Sequence, residues 1–236
     1  MKALVSAALS LLLSACDPVR EGGRPAVISA ENEIPILPVH PGDSWVYEVD
    51  LEIPAGVTSA GAAAVSTEHR RTRTYLGKLA AAEGLPETDC FEVTTPGFSA
   101  EREFVEILDD RILIRGSLIM RPETTKPLWL DRPVPFVAVG MQPGESIPVV
   151  EAADGGLIRQ SSVVAREDVA VPAGTFHCIQ LLTDGIDGDL ELRRNLWFSP
   201  GHGIIREEKI RRRHGRTIFS ETQQLVEIRK VPQTGK

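Results

Sequence analysis

From Pro41 to Lys230 the sequence is cut at short, regular intervals by turn signals, and this spacing constrains the fold more than any other feature. The cuts fall at Pro41-Gly42-Asp43, Pro96-Gly97, Asp109-Asp110, Pro172-Ala173-Gly174, Ser199-Pro200-Gly201 and His214-Gly215. Between them the residues are β-branched and aromatic, and apolar positions alternate with polar ones. A strand sends successive side chains to opposite faces, so such alternation marks a sheet with one covered face. No stretch sustains a 3.6-residue period. The nearest, Leu79 to Glu83, is stopped at once by Gly84-Leu85-Pro86. Strands at hairpin spacing pair with their chain neighbours, and a long antiparallel sheet must curl to bury one face and shelter its edges. The expectation is an all-β, mainly antiparallel fold of about ten strands, curved into a half-barrel or open barrel with little helix.

One stretch breaks the rhythm. Arg121 to Pro148 holds six prolines, too many for a central strand. It reads either as a linker or as a long loop with short edge strands. A faint echo accompanies it: Pro41-Gly42-Asp43-Ser44-Trp45 recurs as Pro143-Gly144-Glu145-Ser146-Ile147, each opening a β-rich half. The organisation expected is a signal segment over 1–15, a lipidated cysteine and flexible tether over 16–38, one β domain over 39–231 with two half-units meeting near 121–148, and a disordered tail over 232–236. As a flexible coil the tether would span roughly 26 Å.

Composition adds mostly exclusions. The 236 residues are 42% hydrophobic and 25% charged, an ordinary balance for a folded chain. With 26 basic against 33 acidic side chains the net charge is −7, which argues against a nucleic-acid partner.

The first residues carry an address. Met1-Lys2 is a short positive start, and Ala3 to Leu13 is an apolar run the length of a signal-peptide core, too short to span a bilayer. It ends in Leu13-Ser14-Ala15-Cys16, which resembles the bacterial lipobox. That resemblance implies cleavage before Cys16, acylation of Cys16, and attachment to the lipid bilayer of the cell envelope, facing the periplasm. Loss of Lys2 with the signal takes the net charge to −8. Asp17 resembles the signal that retains lipoproteins in the inner membrane.

Three further segments resemble a family of bacterial lipoproteins. Leu37-Pro38-Val39-His40-Pro41-Gly42-Asp43-Ser44-Trp45-Val46-Tyr47 is similar to their opening strand. Val171-Pro172-Ala173-Gly174-Thr175-Phe176 is similar to their Val-Pro-Ala-Gly-Thr-Phe hairpin. Leu196-Trp197-Phe198-Ser199-Pro200-Gly201-His202-Gly203-Ile204-Ile205 is similar to their strand-turn-strand. Such motifs occur in DUF3108-like domains, which resemble the lipoprotein-carrier (LolA/LolB-like) half-barrels. The resemblance implies a non-catalytic module that binds a lipid or apolar ligand in the concave face of its sheet. The alternative is an assembly lipoprotein that binds another envelope protein.

The residues themselves offer little chemistry. There is no nucleophile elbow, phosphate loop or His-Glu-x-x-His, so neither catalysis nor a cofactor is expected. The histidines and cysteines lack metal-ligand spacing, and Asp184 to Asp189 lacks the calcium-loop pattern, so no metal is expected. Cys90 and Cys178 remain after lipidation and read either as a disulfide, which an oxidising compartment favours, or as two buried thiols. Arg206, Lys209, Arg211, Arg212, Arg213 and Arg216 form one basic cluster, and Arg70, Arg71 and Arg73 another. Arg211, Arg212 and Arg213, beside the His214-Gly215 turn, are the candidate surface contact. They read either as a site for anionic headgroups or an acidic partner, or as a solvated face paired with Glu207, Glu208 and Glu221.

Overall fold

Each turn signal bounds a strand. The structure, a computed structural model, describes residues 35–57, 63–121, 126–151 and 157–232. Cys16, the signal segment and almost all of the tether lie outside the described residues. Twelve strands follow one another: β1 (Ser44–Ile53), β2 (Val65–Ala80), β3 (Glu87–Thr94), β4 (Glu101–Ile107), β5 (Arg111–Ile119), β6 (Leu128–Ala138), β7 (Ser146–Glu151), β8 (Leu157–Val171), β9 (Gly174–Asp187), β10 (Leu190–Ser199), β11 (Gly203–Arg213) and β12 (Arg216–Arg229). No helix occurs among the described residues.

The sequence led to an expectation of about ten strands; there are twelve among the described residues, and β6 and β7 are the pair that the turn spacing did not reveal. Both lie in the proline-rich stretch. All twelve strands form one antiparallel sheet in the order β6-β5-β4-β3-β2-β1-β12-β11-β10-β9-β8-β7. The chain steps outward from β1 to β6, restarts at β7, and steps back until β12 pairs with β1. The sheet therefore curls into a nearly closed barrel. Its two edges, β6 and β7, approach each other without a ladder between them. Proline explains that opening. Pro133 and Pro135 on β6 and Pro148 on β7 have no N–H to donate, so neither edge presents a continuous row of donors.

The two halves repeat each other to the level of single hydrogen bonds. Gly42 donates to the Tyr75 carbonyl and Tyr75 donates back to Asp43. Gly144 donates to the Val163 carbonyl and Val163 donates back to Glu145. Both glycines sit at positive φ, 97° and 92°, which an L side chain rarely adopts. The bulges repeat as well, between Tyr75 and Gly77 and between Val163 and Ala165, then between Phe104 and Val105 and between Trp197 and Phe198. By this correspondence β1 matches β7 and β12 matches β6. The β1–β12 junction is zipped, and its counterpart β7–β6 is the open seam.

Strand directions give the barrel two ends. One, the floor, gathers Pro41-Gly42, the Asp109-Asp110 turn, Pro172-Ala173 and Pro200 to His202. The chain comes in here: Ile36 donates to Asp109 and accepts from Gly201, and Ile36 and Leu37 are buried as a plug. Above them lie Trp45, Tyr75, Phe91, Val105, Ile112, Val137, Ile179, Phe198 and Ile204. Side chains of β1 reach over β12 to β11. Trp45 Nε1 donates to the His202 carbonyl at 2.6 Å, and the Tyr47 hydroxyl donates to the Ile204 carbonyl at 3.1 Å. Trp197 and Phe198 split across the sheet as the pleat requires. Phe198 packs inward on Phe136, and Trp197 Nε1 donates to Glu167.

Trp45→Phe removes the indole donor and leaves a carbonyl in the floor without its partner. Urea unfolding of the variant is expected to show a loss of about 1–3 kcal/mol. An unchanged midpoint would mean that the bond contributes nothing.

Candidate functional site

Alternation along the strands decides what lines the lumen. On β2, Arg71, Arg73 and Tyr75 pair with Tyr47, Trp45 and the turn before it, so they point inward, and Arg70 points out. On β11 and β12 the same rule sends Glu207, Lys209, Glu221, Gln223 and Leu225 inward. The floor half of the lumen is thus apolar, and the half toward the opposite rim is charged.

The charges form one connected network. Arg71 makes a two-pronged contact with Glu221 at 2.9 and 2.8 Å and also donates to Gln223 Oε1 at 2.8 Å and to Thr95. Gln223 passes its own amide to Glu207 Oε2 at 2.7 Å. Lys209 bridges Glu207 at 3.0 Å and Glu221 at 3.2 Å. Arg194 Nε donates to Glu207 and its guanidinium lies over the Phe136 ring. A separate pair, Arg73 with Glu103 at 2.9 Å, is stacked on Phe91. Glu101, on the β4 wall, is bonded to Ser117.

Burial alone would raise every one of these carboxyls. At Glu221 the Arg71 hydrogen bonds and the Lys209 charge outweigh burial and hold the group at about 2. At Glu207 the charges of Arg194 and Lys209 do the same, holding it below the usual range. Asp43, bonded by the Val231 amide and Lys230, is also lowered. Glu101 goes the other way, raised by burial and then by Glu103.

The basic clusters read as surface are therefore split by the pleat, which is a correction. Arg71, Arg73 and Lys209 are half-buried lumen groups, and Glu207 and Glu221 are buried between them. The candidate contact Arg211, Arg212 and Arg213 stays at the rim. Arg211 lies over Phe219, and Arg213 pairs with Asp189 at 3.2 Å. Asp189 belongs to the β9–β10 turn, where the acidic run Asp184 to Asp189 forms a polar hairpin. No cluster of His, Cys, Asp or Glu fit for a metal occurs among the described residues.

Of the two readings of the cysteine pair, the structure has the buried thiols. Cys90 on β3 and Cys178 on β9 are free, fully buried thiols on strands separated by five others in the sheet order. Burial pushes them up to about 11 and about 12.

Two concave features remain. A depression of about 370 Å³ runs along β1 and β2, but Glu48, Val49, Asp50, Glu68, His69 and Arg70 reach it from both faces of the pair, so no chemistry converges there. A cavity of about 90 Å³ lies inside the seam, walled by β5, β6, β7, β8, β9 and β10, with Arg194, Ser161 and Thr183 as its polar groups. The sequence reading missed it, because only the pairing of β6, β8 and β9 assembles it.

Fold and site together define an antiparallel barrel with a plugged floor and a charged lumen. No protein-family model and no curated protein matches the chain. Two solved structures are similar. A Bacteroides fragilis protein, described as exported and of YmcC-like fold, shares 11% identity, covering 84% of this chain and 100% of its own, at a TM-score of 0.48. A Parabacteroides distasonis protein described as a lipoprotein shares 11%, covering 83% of this chain and 99% of its own, at 0.46. Neither description names a DUF3108 or lipoprotein-carrier domain.

The lowered carboxyls set an acid limit. Their stabilisation is complete above the ordinary carboxylate pKa of about 4.5 and is lost as pH falls toward 2, with Glu221 alone contributing on the order of 3 kcal/mol. Glu101 opposes this, costing stability as it ionises. Urea midpoints should fall steeply between about pH 5 and pH 2, and Glu221→Gln should flatten that fall. A second measurement tests the thiols. At neutral pH a thiol reagent should label Cys90 and Cys178 slowly in the folded protein and rapidly in denaturant. Equal rates would contradict their burial.

Proposed function

We propose that this protein is a non-catalytic envelope lipoprotein, anchored in the bilayer through acylated Cys16, whose barrel serves as an assembly module for another envelope protein. The observation that carries this reading is the placement of Ile36. The chain from the lipobox enters at the plugged floor. The rim that bears Arg211 to Arg213 then lies at the far end from the anchor. At that rim Phe98 is 62% and Leu128 70% exposed, beside Ile119 and Met120, an apolar contact surface.

The alternative is a carrier with an acyl chain in the concave face. It would need a cavity of roughly 300–1,000 Å³. The depression along β1 and β2 reaches about 370 Å³ but is lined by Glu48, Asp50, Glu68, His69 and Arg70 with Val49 as its one apolar side chain, the seam cavity is about 90 Å³, and charged residues occupy the upper lumen.

Mass spectrometry of the N-terminal peptide tests the anchor, with acylated Cys16 as the expected first residue. An unmodified peptide still bearing Met1 would refute it. Native mass spectrometry of protein extracted from its own membrane tests the module. A stoichiometric protein partner is expected, and a co-purifying lipid without one would favour the carrier.

A further inference from the structure

The internal repeat acts as a built-in comparison. On the first half, Trp45, Arg73, Tyr75 and Phe91 fill the lumen wall. Their counterparts by register are Ile147, Ser161, Val163 and Leu181. Every one is smaller. The Arg73–Glu103 pair over Phe91 is replaced by Ser161 facing Leu196 across Leu181. The seam cavity is the space these replacements leave. It lies beside the open β6–β7 edge, which gives it a path to solvent.

Its lining is chemically divided. Ile114, Val134, Ile147, Leu181, Leu196 and Phe136 form apolar walls. The polar end holds the Ser161 and Thr183 hydroxyls, 2.6 Å apart, and the Arg194 guanidinium. Only Nε of Arg194 is bonded among the described residues, which leaves both Nη groups to donate. The network behind it joins three cations, Arg71, Lys209 and Arg194, to the carboxylates Glu207 and Glu221, with Glu101 facing Arg71 and Lys209 from the β4 wall, so the preference for an anion rests on the open guanidinium edge of Arg194. A fork of two guanidinium donors matches a carboxylate.

We infer that the seam cavity is a binding site for a short-chain monocarboxylate, held head-on by Arg194, Ser161 and Thr183 with its alkyl tail against the aliphatic walls. At about 15 Å³ per water the cavity of about 90 Å³ takes roughly six waters, the scale of an acid of a few carbons. The site is independent of the anchoring and assembly proposed above.

Butyrate is the probe, titrated by calorimetry into the full chain carrying Cys16→Ser. Saturable binding near 1 mM is expected for so small a ligand. Butyramide, of equal shape and no charge, should bind at least about tenfold more weakly. Arg194→Gln should lose the preference for acid over amide. Leu181→Phe, which installs the residue of the filled half, should abolish binding with the thermal midpoint retained. Thr183→Val, close to isosteric, covers the case in which either variant fails to fold, and should weaken butyrate more than butyramide. The inference is overturned if butyrate shows no saturation, if the amide binds equally well, or if the folded variants bind as the parent does.

Discussion

The barrel depends on the junction of its first and last strands. β1 and β12 are the ends of two six-stranded runs, and only their pairing makes one sheet of them. The junction is fastened at three levels. The backbone ladder joins Ser44 to Arg229 at one end and Glu52 to Ser220 at the other. Trp45 and Tyr47 reach past β12 to carbonyls of β11. Arg71, on β2, reaches past β1 to Glu221 and Gln223 on β12. Contacts of such long sequence separation are costly to form and come only when most of the chain is in place.

The opposite junction shows what happens without such fastening. The repeat brings β6 and β7 to the place equivalent to β12 and β1. Their prolines remove donors, and smaller lumen residues remove the packing that would draw the edges together. The same economy that leaves the seam open leaves the cavity. Proline on an exposed edge also protects it from pairing with another chain.

Burying a charged network is expensive, and its value rests on completeness. Arg71, Glu221, Gln223, Glu207, Lys209 and Arg194 satisfy one another across four strands, so each desolvated carboxylate has donors on more than one side. Breaking one member would leave the buried carboxylates Glu207 and Glu221 short of donors. This network fills space that a carrier of lipids would keep empty.

The sequence by itself determined the strand count to within two, the antiparallel order and the turns, because each rests on neighbours in the chain: period-two alternation, Asp109-Asp110, Pro172-Ala173, His214-Gly215. It also held the Pro-Gly echo that marks the repeat. Its prolines hid β6 and β7, since edge strands tolerate what central strands exclude. The tertiary structure decided which face of each strand looks inward. Arg71, Arg73, Lys209 and Glu207 read as surface along the chain, because charge is normally solvated. They are interior because curvature turned that face of β2 and β11 toward partners on β4, β10 and β12. The free state of Cys90 and Cys178 and the cavity at Arg194 follow from the same closure, which brings together residues that no local pattern links.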